Sequence, residues 1–223
     1  MQKSEIKMVE RGGIHYLMEE GKRVRYMPWI GDLFAQLYDP IMSRKVFPDK
    51  FKADIGRHFS ILKEVLEPVR EQQVLEIAAG SGSAVNFLDN SNVYTGLDIS
   101  VRLLKEARKK LLQAGFQECR LYNAGAEELP FEDESFDVCL CILSLNFFND
   151  IPRVFSEAAR VLQPGGFILI AVPIPERIEP EVRIRGSLLT EKKIAELGRT
   201  FGLGYEGIDA ENGGLLYCRL FRQ

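Results

Sequence analysis

The chain has 223 residues, 29 basic and 32 acidic side chains, and a formal net charge of −3. That length suits one α/β domain with an N-terminal addition, and 46% apolar residues exclude a disordered chain. The mild acidity leaves no electrostatic footprint for nucleic acid. No apolar run approaches the ~20 residues of a membrane span, and Met1–Lys7 lacks the apolar centre of a secretory signal; a cytoplasmic protein is expected.

In chain order, residues 1–28 fit either a small hairpin around Gly21 or a helical arm. Residues 29–70 read as helical, with Trp29–Tyr38 and Asp49–Leu66 as the two expected helices. Ile55, Phe59, Leu62 and Leu66 follow helical spacing, and Phe34, Leu37, Tyr38, Phe47 and Phe51 add to an aromatic-rich face. Such a face either packs on a sheet or covers a ligand. Residues 1–70 are an expected N-terminal helical lid or extension, and residues 71–223 the expected α/β domain. His15 and His58, the only histidines, are expected in packing or surface roles.

Strand and helix then alternate. Expected strands are Gln73–Ala78, Val93–Asp98, Glu118–Asn123, Phe136–Leu143 and Phe167–Val172, and short apolar runs of this kind suit a buried parallel sheet. After the first strand come Ala78-Ala79-Gly80-Ser81-Gly82, small residues that let the backbone turn and a ligand approach. A helix is expected to begin at Ser83. The second strand ends on Asp98, 18 positions after Gly80, where a carboxylate can accept from both ribose hydroxyls. Ser100 caps the next helix and Gly115 ends it. A helix running to Leu162 ends at Pro164-Gly165-Gly166, and Thr190 caps the last one. Tyr205–Ala210 and Leu215–Phe221, around Asn212-Gly213-Gly214, read as an antiparallel hairpin. The result is a doubly wound, mostly parallel, seven-stranded sheet.

Two ligands fit the glycine loop: a dinucleotide or S-adenosylmethionine. The dinucleotide fingerprint wants glycine or alanine three places after the second glycine, and that place is Val85. Glu76, near the end of the strand, repels pyrophosphate but suits a ligand carrying an ammonium and a sulfonium. The charges favour S-adenosylmethionine.

Four segments together carry a family resemblance: Val74-Leu-Glu-Ile-Ala-Ala-Gly-Ser-Gly82, Gly96-Leu-Asp-Ile-Ser100, Ala124-Gly-Ala-Glu-Glu-Leu-Pro-Phe131 with Ser135-Phe-Asp-Val138, and Ala159-Arg-Val-Leu-Gln-Pro-Gly-Gly166. The chain resembles class I S-adenosylmethionine-dependent methyltransferases over about residues 70–220. It is most similar to the small-molecule branch that includes the ubiquinone/menaquinone-biosynthesis enzymes. The resemblance implies that Glu76 and the Gly80–Gly82 loop hold the methionine end, that Asp98 holds the ribose, and that the backbone at Ala126–Glu127 flanks the adenine. Ala78, Ile99, Gly125 and Leu143 complete the expected cofactor contacts. Ala78 stands where the family usually has glycine, Gly125 where an acid often reads the adenine amine, and Asn146 where histidine is frequent.

The expected activity is methyl transfer from S-adenosylmethionine to a small, apolar or aromatic molecule, leaving S-adenosylhomocysteine. The rival reading is a cofactor-binding subunit that regulates a partner enzyme without catalysis. A donor with an activated methyl needs no protein nucleophile, so no catalytic residue is assigned. Tyr38, which could face the methyl, and Asn146, which could position a polar group of the acceptor, are the candidates. Phe147 and Phe148 could wall an apolar pocket, and Arg183 and Arg185 could clamp an anion. Cys119, Cys139, Cys141 and Cys218 read as reduced thiols, and no metal is expected. The partner is a small-molecule substrate, with the chain a monomer or homodimer.

Overall fold

The computed structural model describes residues 3, 6–27 and 37–223. The expected helix Trp29–Tyr38 falls outside the described residues up to residue 36, and Phe34 with it.

All seven expected strands are present, here β4 (Gln73–Ile77), β5 (Val93–Leu97), β6 (Cys119–Asn123), β7 (Phe136–Ile142), β8 (Leu162–Pro173), β9 (Leu203–Gly207) and β10 (Leu215–Arg222). Their spatial order is β6-β5-β4-β7-β8-β10-β9. β4 to β8 pair in parallel, and β10 runs antiparallel to both β8 and β9. The order reverses at β4, so the crevice between the carboxyl ends of β4 and β7 is the switch point where open sheets bind ligands.

The sheet continues beyond β6. Residues near the N-terminus form β1 (Met8–Arg11), β2 (Ile14–Glu19) and β3 (Lys22–Arg23). β2 pairs in parallel with β6, through Ile14↔Leu121 to Tyr16↔Asn123, and His15 stacks on Tyr122 with ring centres 4.7 Å apart. Of the two N-terminal expectations, the hairpin is the one observed: β2 and β3 turn at Glu20-Gly21. Residues 8–23 thus extend the sheet.

Each face of the sheet carries its own core. Helices α2 (Ile55–Val65) and α3 (Val101–Gln113) cover one face through Ile61, Leu62, Leu104 and Ala107. Helices α4 (Ile151–Val161) and α5 (Glu191–Thr200) cover the other through Val154, Phe155, Ala158 and Ile194. All four helices begin on side-chain caps: Asp54, Ser100, Asp150 and Thr190 each accept from the N–H three residues on. Cys139 and Cys141 share one face and one core, as alternation dictates.

Two expectations are corrected. The helix expected from Ser83 is a single 3₁₀ turn, Ser83–Asn86, because Asp89-Asn90-Ser91-Asn92 turns the chain straight back into β5. The helix expected over Asp49–Leu66 is two pieces. A short α1 (Tyr38–Ile41) runs into a wide-turned helical segment, Met42–Phe51, which Lys52 ends with φ +49°. Asp54 then starts α2. The expected antiparallel hairpin is present as β9 and β10, and its connection through Asn212-Gly213-Gly214 also docks on the segment before α2. Asn212 Oδ1 accepts from the Asp54 N–H at 2.9 Å and its Nδ2 donates to the Asp54 carbonyl at 2.9 Å. A Cβ on Gly213 would stand 2.2 Å from the Lys52 carbonyl oxygen. The segment docks the N-terminus of α2 onto the sheet.

Candidate active site

Two adjoining cavities open above the carboxyl ends of the strands. The first, of about 390 Å³, is lined by Asp98, Ile99, Gly125, Ala126, Glu127 and Phe147 among others. The second, of about 450 Å³, is lined by Glu76, His58, Phe47, Phe59, Ser81 and Met42 among others. Tyr38, Ala78, Gly80, Ile142 and Leu143 line both and form the junction.

The corner between β4 and β5 is held by its own backbone. Asp98 is 7% exposed. Its Oδ2 accepts from the Gly80 N–H at 2.8 Å and its Oδ1 from the Ser100 N–H at 2.7 Å. The Ala79 N–H donates to the Leu97 carbonyl, and that of Gly82 to Ala79. These loop N–H groups are occupied inside the protein, and no long helix begins behind them. The anion cradle of a dinucleotide-binding loop is therefore missing. The two carboxylate oxygens of Asp98, at the tip of β5, are the kind of acceptor pair that suits ribose hydroxyls.

The two glycines serve different ends. Gly82 has φ +79°, and a Cβ there would lie 2.7 Å from Ala107 Cα, so this glycine lets the loop pack on α3. Gly80 has φ +55° with nothing closer than 4.0 Å to a built Cβ, leaving its face of the loop open to the crevice. Ala78 also sits in the left-handed region, at φ +59°, as does Leu143 at φ +55°. Two non-glycine residues in that conformation, both at the junction, are local strain at the expected site of chemistry.

Glu76 is 2% exposed. The Tyr94 hydroxyl donates to its Oε2, and burial lifts its carboxyl to about 8, against the opposing effect of that hydrogen bond. Among the described residues no cation pairs with that carboxyl. It fits the ammonium of S-adenosylmethionine, as Asp98 fits the ribose, so the residues present suit that cofactor. Tyr38 stands at the junction. Burial of its hydroxyl first, then the charges of Asp98 and Asp39, push the phenol up to about 12, so it stays protonated at neutral pH. Asp39, next in the chain, accepts from Ser81 Oγ at 2.6 Å and pairs with Lys110, tying α1 to the glycine loop and α3.

Asn146 is placed differently from its expectation. It is 3% exposed and lines neither cavity. Its Nδ2 donates to the Arg185 carbonyl at 2.6 Å, and its own carbonyl accepts from the Ser187 N–H. Its neighbours Phe147 and Phe148 line the first cavity instead. Arg183 and Arg185 are exposed outside both cavities. Gly125, where an acid is frequent, would leave a Cβ 3.4 Å from Glu127 Oε2 and 3.6 Å from the Tyr26 ring; the N-terminal segment and a glutamate already fill that end.

Sequence reasoning missed two supporting residues. Tyr26 Oη accepts from the Gly125 N–H at 3.0 Å. Asn123, buried at the end of β6, donates to the carbonyls of Asp98 and Ile99 and accepts from Arg23. It fixes the loop that carries Asp98. The only available signal was a polar residue closing an apolar strand.

Residues 75–170 match the sequence family described as "Methyltransferase domain". Over this segment the chain is similar to methyltransferases. The uncharacterized methyltransferase YcgJ of Bacillus subtilis is 32% identical over 145 residues, 64% of this chain and 55% of that protein. The phthiotriol/phenolphthiotriol dimycocerosates methyltransferase 1 of Mycobacterium ulcerans is 33% identical over 140 residues, 60% of this chain and 51% of that protein. The chain thus spans about half the length of these curated relatives. The crystal structure of Bacillus subtilis YcgJ superposes with a TM-score of 0.62 at 18% identity, covering 74% of this chain and 100% of that one, a likeness of fold. Among the described residues no helix is long and apolar enough to cross a membrane, and no group of His, Cys, Asp or Glu could hold a metal ion. The four cysteines are free, and burial pushes the Cys141 thiol up to about 11.

Proposed function

We propose that this protein transfers a methyl group from S-adenosylmethionine to a small apolar or aromatic molecule, leaving S-adenosylhomocysteine. The observation that carries this reading is the loop Ala79–Gly82, whose internal hydrogen bonds leave a carboxylate-lined pocket. Such a corner disfavours pyrophosphate and suits a cationic donor.

In this reading Asp98 takes the ribose hydroxyls, and Ile99, Ala126 and the backbone at Glu127 flank the adenine. Glu76 receives the ammonium. The sulfonium, when bound, supplies a methyl already attached to a good leaving group. What remains for the chain is to align the acceptor and exclude water. Tyr38, Ile142 and Leu143 at the junction are suited to both, since a protonated phenol and two apolar side chains give a dry, walled passage between the cavities. Residues 37–65 act as the cover in this reading. A cofactor-binding subunit without catalysis is not favoured, since the sequence relatives are named as methyltransferases.

Calorimetric titration with S-adenosylmethionine and S-adenosylhomocysteine tests it, alongside Asp98→Ala. Micromolar binding that weakens tenfold or more in the variant (about 1.4 kcal/mol or more) is the expected result. Absence of binding by wild type overturns the reading.

A further inference from the structure

The histidine in the second cavity has no part in the reading above. His58 lies in α2, 1% exposed, among Phe47, Phe59 and Tyr217, with ring centres 5.1, 5.6 and 5.7 Å away. Its Nδ1 lies 2.9 Å from Tyr217 Oη. The tautomer follows from the neighbours. Asn212 is oriented by Asp54, whose N–H it accepts and whose carbonyl takes one of its amide hydrogens. The second amide hydrogen goes to Tyr217 Oη at 3.1 Å. The Tyr217 hydroxyl hydrogen then has His58 Nδ1 as its acceptor, so the ring proton sits on Nε2. Burial depresses the His58 pKa to about 4, which keeps the ring neutral. No partner for Nε2 lies among the described residues, while the ring lines the second cavity.

We infer that His58 is the acceptor-orienting residue of this site: its Nε2–H donates to an oxygen of a small molecule held against Phe47, Phe59 and Met42, next to the junction where Tyr38 and Leu143 meet the donor. The inference rests on the methyltransferase reading and adds the substrate class: an apolar or aromatic body carrying a carbonyl, carboxylate or phenolic oxygen. His58 and Glu76 line one cavity but are held from different strands. Glu76 belongs to β4, and Tyr217, which holds the imidazole, to β10. β7 and β8 lie between, which at ~4.8 Å per strand sets the two strand axes about 14 Å apart. With its proton on Nε2, His58 serves as a hydrogen-bond donor to the acceptor molecule and takes no proton from it. In this reading Glu76 is matched by the donor's ammonium and Asp39 is paired with Lys110, so neither carboxylate faces the acceptor oxygen as an uncompensated charge.

The test compares wild type with His58→Gln, His58→Leu and Tyr217→Phe. Three quantities are read: S-adenosylhomocysteine affinity, transfer of labelled methyl from S-adenosylmethionine into a mixed metabolite extract, and the histidine ring nitrogens by long-range proton–nitrogen NMR. The expected spectrum places the His58 proton on Nε2. His58→Leu is expected to bind S-adenosylhomocysteine within twofold of wild type and to lose labelling tenfold or more. His58→Gln, whose amide can reach the Nε2 position, regains part of it through KM. Tyr217→Phe, the decisive variant if His58→Leu does not fold, shifts the proton toward Nδ1 and raises KM several-fold at unchanged cofactor affinity. A proton on Nδ1 in wild type, wild-type labelling by His58→Leu or Tyr217→Phe, or tenfold weaker S-adenosylhomocysteine binding in His58→Leu overturns the assignment. Cofactor binding by wild type without any labelled product overturns the acceptor site alone. Absence of cofactor binding overturns the methyltransferase reading and this one together.

Discussion

The Gly80 N–H donates to the Asp98 carboxylate at 2.8 Å across the corner between β4 and β5. The expected ribose acid is therefore also a structural clasp, because its other oxygen accepts from the Ser100 N–H. Asp98→Ala should then lower stability as well as cofactor affinity. Leaving two enclosed donors unpaired costs about 1–3 kcal/mol for each group fully cut off from water. With water reaching the crevice, about 2 kcal/mol in total is expected, a melting shift of about 4–8 °C in a chain this size. Asp98→Asn, with one acceptor oxygen, can satisfy only one of the two N–H groups and should lose about half as much. Equal melting temperatures for wild type and both variants would show that the clasp contributes nothing.

Ala78 at φ +59° invites the opposite change. An alanine forced into the left-handed region costs about 1–2 kcal/mol, against which a glycine loses some chain entropy on folding. Ala78→Gly should raise stability by about 0.5–1 kcal/mol, read as a higher melting temperature. A decrease would mean that the alanine methyl, at the junction of the two cavities, packs more favourably than its backbone strain costs.

Gly80 and Gly82 separate packing from ligand access. Gly82→Ala meets both a positive φ and the Ala107 backbone at 2.7 Å. A loss above about 2 kcal/mol is expected, because the contact is with helix backbone that cannot yield. Gly80→Ala meets only the φ penalty, about 1 kcal/mol, but places its methyl on the open side of the loop. Its larger effect should be on S-adenosylhomocysteine affinity. Melting curves and titrations of the pair check this; a larger stability loss at Gly80 than at Gly82 would reverse the assignment.

The parts of this architecture that the sequence displays are those with local causes. β4 to β8 are short apolar runs, the capped helices start at Asp, Ser or Thr, and the glycine loop with its distant acid marks the switch point. What stayed hidden depends on contacts across the chain. Tyr26 reaches Gly125 over 99 residues and Asn212 reaches Asp54 over 158, and neither pairing leaves a periodic trace. The Asn212-Gly213-Gly214 run carries the residues of a hairpin turn, yet its conformation is set by docking on Lys52 and Asp54. β2 alternates only weakly between apolar and polar residues, so its place beside β6 is decided by pairing and by the His15–Tyr122 stack. Asn146 reads as a loop residue near the site but is drawn into holding the Arg185–Ser187 segment.

Glu76 predicts a pH dependence with a definite sign. Its folded-state value, about 8, lies above the usual 4.5 because burial disfavours the charge. Between those values the native state holds a proton that the unfolded chain has released, so this group's contribution makes stability fall as pH rises from about 4.5 to about 8. Glu76→Gln should flatten that part of the wild-type curve for the ligand-free protein. Cofactor binding works the other way. An ammonium beside the carboxyl favours its ionised form, so binding below about pH 8 should release a proton, and affinity should rise with pH toward that value. Calorimetry in two buffers of different ionisation enthalpy reads the released proton directly. A binding enthalpy independent of buffer at pH 7, or the same proton release from Glu76→Gln, would place the ammonium elsewhere.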